Sequence, residues 1–127
     1  MERFKKHITE SQDAYNKAYD NYRADLDMIQ NAGGSRTAHG PRGEGTVRSL
    51  YEVTVIEKYP YTYRTTIAFT HNLYTRINSE IEVSVGYVKY EGTRASTLRV
   101  ITDSKKVKTI KAGLAWIKRE TSALKKK

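Results

Sequence analysis

The sequence predicts an α+β domain in which two helices flank a four-stranded antiparallel meander. Apolar residues recur at helical spacing over residues 3–30 and again over 103–124, which predicts two amphipathic helices. Between them, residues 46–102 alternate apolar and polar side chains, as half-buried antiparallel strands do. Because such a sheet has one apolar face and each helix one apolar stripe, we expect both helices to pack on that face, in two layers. The 127 residues suit a single domain with one modest core.

The first helix carries an apolar stripe that is rich in tyrosine. Tyr15, Tyr19 and Tyr22 fall on the same face as Leu26 and Ile29. A tyrosine can bury its ring while its hydroxyl group finds a polar partner. We interpret the stripe as the face that packs on the core, and alternatively as a surface that binds a partner protein. Its seven-residue repeat also makes a homodimer a hypothesis.

Residues 31–45 are predicted to form a glycine-rich loop. They contain five glycines and one proline among small polar residues, a composition that disfavours a helix or a regular strand. Connections of this length in compact domains are usually functional. Arg36 and Arg42 make the loop mildly basic and are candidates for contact with nucleic acid.

Four strands are predicted over residues 46–58, 61–70, 77–90 and 95–102, joined by short turns. The second strand alternates most regularly, with tyrosine, isoleucine and phenylalanine on one side and mostly threonine on the other. The outward side of the sheet mixes acidic and basic residues, so it is predicted to be a solvated face with charge pairs.

The last helix, residues 103–124, is predicted to present two surfaces, and residues 125–127 a short tail. Its apolar stripe includes Val107, Ile110 and Leu114 and would pack on the sheet. The opposite side is predicted to hold cations and the single tryptophan of the chain, namely Lys105, Lys108, Trp116 and Arg119. A tryptophan that faces solvent among cations would be available for base stacking or for a protein contact. The alternative is that Trp116 packs against the first helix or against the loop of residues 31–45.

Positive charge is concentrated at the C-terminal end. The chain has a net charge of +9, and residues 103–127 hold nine Lys or Arg residues against two acidic ones. A localised basic segment favours a polyanionic partner, whereas a membrane is disfavoured because the sheet needs the apolar face of this helix. The candidate nucleic-acid-binding residues are Lys105, Lys106, Lys108, Lys111, Trp116, Lys118 and Arg119, together with Arg36 and Arg42.

Several classes of site are disfavoured by the composition. The chain lacks cysteine, which excludes disulfides and thiolate zinc sites and is compatible with the cytoplasmic location that we expect. Its first residues lack the apolar segment of a signal peptide, and its three histidines lack ligand spacing, so no metal or cofactor is expected. Asp103 and Lys105 match the carboxylate-x-lysine element of many nucleases. A helix cap accounts for Asp103 or Ser104 equally well, and we predict no enzymatic activity.

Residues 104–113, SKKVKTIKAG, resemble the start of the last helix of double-stranded-RNA-binding domains. The resemblance covers this segment and the order of helix, antiparallel sheet and helix. It implies that Lys105, Lys106 and Lys108 contact phosphates across a groove. The family has three strands where this sequence predicts four, and its Gly-Pro-His turn is replaced here by EKYPY.

These observations predict a small, non-enzymatic nucleic-acid-binding protein whose basic C-terminal helix docks on the phosphates of DNA or RNA. The alternative is a protein-interaction module, such as an inhibitor or assembly factor. It would bind its partner through the tyrosine-striped helix or through the Trp116 face.

Overall fold

The structure, a computed structural model, describes residues 21–96 and 98–126. A first helix, α1, covers residues 21–31 of this part, and a second helix, α2, spans Ile110–Lys126. Between them lie β1 (Ser35–Gly43), β2 (Thr46–Lys58), β3 (Tyr61–Asn72), β4 (Asn78–Glu91), β5 (Arg94–Ala95) and β6 (Val100–Val107). The predicted α+β class, with a helix, an antiparallel sheet and a second helix in that order, is confirmed. The predicted helix before residue 21, with Tyr15 and Tyr19, lies outside the described residues.

The strands form one curled antiparallel sheet. Its spatial order is β1-β2-β3-β4, and both the two-residue β5 and the longer β6 pair with β4. The β1–β2, β2–β3, β3–β4 and β4–β6 pairings each contain a register shift. An extra residue on one strand bends that strand and increases its twist, so these shifts account for the curl.

One face of the sheet, here called the helix face, packs against the helices. Tyr51, Ile67 and Val83 lie opposite one another across β2, β3 and β4 on this face. A Cβ atom placed on Gly113 of α2 would lie 3.0 Å from the side chains of both Ile67 and Val83, so the helix backbone lies close to the sheet at this glycine. Ile29 of α1 is fully buried in the same core. The other face, here called the open face, carries the polar alternate residues.

The prediction of a loop over residues 31–45 is wrong, because most of this segment forms β1. Its register against β2 runs from Ser35 opposite Glu52 to Gly43 opposite Thr46. β1 is an edge strand, where glycine and proline are tolerated because one side of the strand makes no ladder hydrogen bonds. Pairing with β2 satisfies the backbone groups on one side of this segment whatever its side chains are, and the amino-acid composition does not reveal that contribution.

The strand count of four and the start of the last helix at residue 103 are also wrong. Residues 100–107 pair with β4 as β6, and α2 begins only at Ile110. Thr109, rather than Asp103 or Ser104, caps the helix: its Oγ1 accepts a hydrogen bond from the backbone N–H of Ala112 at 3.1 Å.

Two further expectations change with this boundary. α2 continues to Lys126, so residues 125 and 126 belong to the helix and not to a tail. Residues 104–107 form part of β6, so the segment that resembles the last helix of double-stranded-RNA-binding domains is a strand in its first half.

The prediction that Trp116 faces solvent is wrong. Its side chain is 7% exposed and belongs to the core. The predicted stripe included Val107, which lies on β6, and Leu114, which is only partly buried. When the apolar stripe is defined by the buried residues of α2, its centre is rotated by roughly 60° from the predicted one, at about 100° per residue. The stripe then includes Trp116.

Replacing Gly113 with valine should lower the free energy of unfolding by about 1–3 kcal/mol, because the new side chain must displace Ile67 and Val83 in a packed core. The matched control is Ala112→Val at the exposed neighbouring position, which should cost about 0.7 kcal/mol or less through helix propensity. Urea denaturation followed by Trp116 fluorescence measures both. Equal losses for the two variants would contradict the packing described at Gly113.

Candidate nucleic-acid interface

The solvent-exposed side of α2, here called the basic face, carries five cations: Lys111, Lys118, Arg119, Lys125 and Lys126. Lys111, Lys118 and Lys125 follow one another at intervals of seven residues, so they form one row with steps of about 10.5 Å along the helix axis. The other exposed side chains of the helix are small, namely Ala112, Ala115, Ser122 and Ala123. Small side chains between the cations would let an extended polyanion approach the helix closely.

The cations of the basic face lack an opposite charge beside them. The acidic residue of α2, Glu120, is half-buried on the side of the helix that packs. Ion pairs in the described chain join Arg42 to Glu80 and Arg64 to Glu52, and none of those within residues 21–96 and 98–126 involves the basic face. Like charges on one helix surface repel by a few tenths of a kcal/mol per pair. The stability of the fold therefore does not explain why these positions carry positive charge.

Lys105 and Lys106 lie on β6 rather than on the helix, and they point to opposite sides of the sheet. Lys105 is opposite Val83, which places it on the helix face, whereas Lys106 is opposite Glu82 on the open face. Both side chains are exposed. The predicted single cluster of lysines is thus divided between two surfaces.

The curl of the sheet brings Lys106 and Arg42 to one cavity of about 230 Å³ near the open face. The cavity is lined by charged side chains from four strands, namely Arg42, Arg48, Glu80, Glu82 and Lys106. Arg42 is paired with Glu80, with 3.0 Å between Nη1 and Oε2. The Thr70 hydroxyl donates to the same Glu80 oxygen at 3.0 Å and accepts from Arg48 Nη1 at 3.1 Å. Arg42 therefore has an acidic partner within the chain.

Arg48 was not singled out by the sequence, and no local pattern predicts its contacts with Thr70 and Glu80. Glu80 adopts a left-handed backbone conformation, with a φ of 50°, at the register shift between β3 and β4. Such a conformation is uncommon outside glycine and depends on the surrounding structure. Arg36, in contrast, is an exposed residue of β1, at the opposite edge of the sheet from β6.

Lys108 and Tyr22, which were predicted for different roles, line one cavity of about 390 Å³ beside the start of α2. The ring of Tyr22 stacks on His71 of β3, with 3.7 Å between the ring centroids and an angle of 18° between the planes. Tyr22 therefore already has a partner within the chain.

His71 lies at the end of a polar chain that links α1 to the sheet. Asn78 Nδ2 donates to the Asp25 carboxylate at 3.0 Å, so the Oδ1 atom of Asn78 faces His71 Nδ1, also at 3.0 Å. Nδ1 of the neutral ring then carries the proton. Nε2 is buried and has no hydrogen-bond partner among the described residues.

Burial lowers the pKa of His71 below its ordinary value of 6.5, the hydrogen bond with Asn78 opposes this shift, and the Arg76 guanidinium adds to it. The side chain is only 4% exposed, so the neutral ring is the form that suits this position.

Comparison of the chain with protein-family models, with curated proteins and with solved structures found no match. Within the described part of the chain, no group of three or more histidine or acidic side chains is placed to hold a metal ion. No helix in that part is both long enough and apolar enough to cross a membrane.

Lowering the pH should destabilise the protein through His71. The pKa of His71 is lower in the folded state, so the unfolded chain binds the proton first as the pH falls. The free energy of unfolding contributed by neutral His71 is therefore fully present above about pH 6.5 and decreases as the pH is lowered towards the folded-state pKa. The slope contributed by this residue is at most about 1.4 kcal/mol per pH unit. Urea denaturation between about pH 5.5 and pH 7.5 measures it.

His71→Phe keeps a ring for Tyr22 to stack on and should flatten this dependence. His39→Phe, the same change on exposed β1, should leave the pH dependence as in the wild type. An unchanged slope in His71→Phe would contradict the assignment.

Proposed function

We propose that this protein binds nucleic acid through the basic face of α2, which docks on phosphate groups. The observation that carries the proposal is the exposed arc of five cations on α2 that has no carboxylate within it. Polyanion phosphates would relieve the repulsion among these cations, and the released counterions would add to the binding free energy. Lys108 precedes the helix and extends the same cationic segment towards its N-terminal end.

The remaining predicted residues contribute unequally to this proposal. Lys105 is exposed and lies on the helix face, the side of the sheet that carries α2. Lys106 lies on the open face, and Arg42 is paired with Glu80. We do not assign base stacking to Trp116, since its ring is 7% exposed.

The alternative, a protein-interaction module, draws less support from the described residues. Trp116 is a core residue, and Tyr22 stacks on His71. The two other tyrosines of that hypothesis, Tyr15 and Tyr19, lie outside the described residues.

Charge reversal at Lys111, Lys118 and Lys125 should weaken binding to a labelled oligonucleotide of about 20 nucleotides by at least tenfold at about 50 mM salt. Because each phosphate contact releases counterions, the slope of log affinity against log salt should become shallower by about 2–3. Fluorescence anisotropy with DNA and RNA, single-stranded and duplex, measures both quantities.

The matched control compares Lys118→Glu with Arg23→Glu. Both substitutions change the net charge equally at exposed helical positions, but Arg23 lies on α1. Only the α2 variant should lose affinity beyond the small effect of net charge. Absence of binding by the wild type at low salt, or equal losses in the two single variants, would refute the proposal.

A further inference from the structure

A group of tyrosines occupies the end of the helix face that leads to the turn between β2 and β3. α2 contacts the helix face at Ile67 and Val83 and reaches β2 through a hydrogen bond from Thr121 to Thr54. Beyond that line, the helix face continues for several residue pairs towards the turn between β2 and β3 and the far end of β4. Tyrosines fill this stretch.

Two rows of side chains cross the strands there. In the first row Tyr63 of β3 lies between Ile56 of β2 and Tyr87 of β4, and in the second row Tyr61 lies between Lys58 and Lys89. Residues paired across antiparallel strands share one face, with Cβ atoms about 4.5–5.5 Å apart. A central tyrosine is therefore flanked by a cation on each side.

The rings of this group brace one another. Tyr61 and Tyr87 meet edge to face, with ring centroids 5.1 Å apart and planes at 81°. Tyr63 lies 5.9 Å from Tyr87 and 6.0 Å from Tyr61. Contacts of this kind hold the half-buried ring of Tyr61 in one orientation.

Tyr61 also lines a cavity of about 370 Å³ at the end of the sheet, here called the tyrosine pocket. The pocket is lined by Glu57, Tyr59, Tyr61, Thr62, Tyr90, Gly92 and Thr93. Its volume lies within the range of about 300–1,000 Å³ that is typical of small-ligand sites. Three aromatic walls and a carboxylate acceptor suit a planar ring that carries polar edge groups.

Tyr59 is the most informative residue of the pocket. Its side chain is 74% exposed, yet its hydroxyl group donates to the carbonyl oxygen of Gly92 at 3.0 Å. A large ring that faces water but is tethered at its far end is an ordered stacking surface. Gly92 has a φ of 64°, so glycine suits this turn and leaves the pocket mouth uncrowded.

We propose that an unpaired nucleobase stacks in the tyrosine pocket while its flanking phosphates lie near Lys58 and Lys89, so that the bound nucleic acid is single-stranded. This inference rests on the proposed function, in which α2 holds the polynucleotide. Aromatic side chains stack bases without strong sequence preference. A base within a duplex would first have to be unpaired and unstacked, at a cost of a few kcal/mol. Tyr61 lies on the helix face, as α2 does, whereas the paired Glu57 and Thr62 of the pocket lie on the open face. The pocket is therefore at the end of the sheet, and one strand can run from α2 along the Tyr61 row to this end.

The test compares a labelled single-stranded oligonucleotide of about 20 nucleotides with its duplex, by anisotropy at one salt concentration. The wild type should bind the single strand at least tenfold more tightly. Tyr59→Ala and Tyr61→Leu should each weaken binding of the single strand by about 5- to 150-fold, the range for loss of one stacked base. Binding of the duplex should not change.

Two control variants keep the result interpretable. Tyr61→Phe retains the ring and should bind as the wild type does. Tyr74→Ala removes a tyrosine that is 68% exposed in the turn between β3 and β4, at the other end of β3, and should also bind as the wild type. Circular dichroism checks that Tyr61→Leu is folded, and the exposed Tyr59 gives a second readout that does not depend on the core.

The outcomes separate this inference from the proposed function. If charge reversal on α2 abolishes binding while Tyr59→Ala and Tyr61→Leu bind the single strand normally, base stacking in the tyrosine pocket is refuted and the proposed role of α2 stands. Equal or tighter binding of the duplex, or an equal loss in Tyr74→Ala, also overturns it. If the wild type binds no nucleic acid at low salt, both proposals fail together.

Discussion

The close packing of Gly113 against Ile67 and Val83 sets which side of α2 meets water. With no Cβ atom at residue 113, the helix backbone lies against the sheet, and a side chain there would meet both partners at 3.0 Å. That contact fixes the rotation of the helix about its axis. Trp116, Ile117 and Leu124 then turn inward, and the five cations of the basic face turn outward. The cationic surface is therefore a consequence of how the core packs, although packing does not require the charges themselves.

β4 provides the second constraint, because it pairs with β3 along one edge and with β5 and β6 along the other. By extending the sheet to residue 107, β6 separates Lys105 from Lys106 and delays the start of α2. The register shifts curl the sheet, so that Arg42 of β1 reaches Glu80 of β4. At the far end of the same strand, Tyr87 and Lys89 belong to the two rows of side chains on the helix face, and Tyr90 lines the tyrosine pocket. One long strand thus organises features on both faces.

The strands that the sequence predicted well are those that bury one face. The predicted ranges 46–58, 61–70 and 77–90 lie within two residues of β2, β3 and β4 at each end. β1 left no such signal, and the predicted strand over 95–102 overlaps β6 only at residues 100–102, since nearly all residues of β1 and β6 are exposed on both sides. Alternation of apolar and polar residues arises where one face of a strand is buried, so an edge strand that is exposed on both faces does not show it. Val107 then fitted the helical stripe by coincidence of spacing, which also misplaced Trp116.

Local pattern was sufficient for the α+β class, for the central strands, for an amphipathic C-terminal helix and for the concentration of charge at that end, because each depends on residues close in the chain. Other features required the folded molecule. They are the existence of β1, the boundary between β6 and α2, the burial of Trp116, the link from Asp25 through Asn78 to His71, and the alignment of Lys58, Tyr61 and Lys89. Each depends on backbone pairing or steric fit between segments far apart in sequence, and the partner that decides it is absent from the local window.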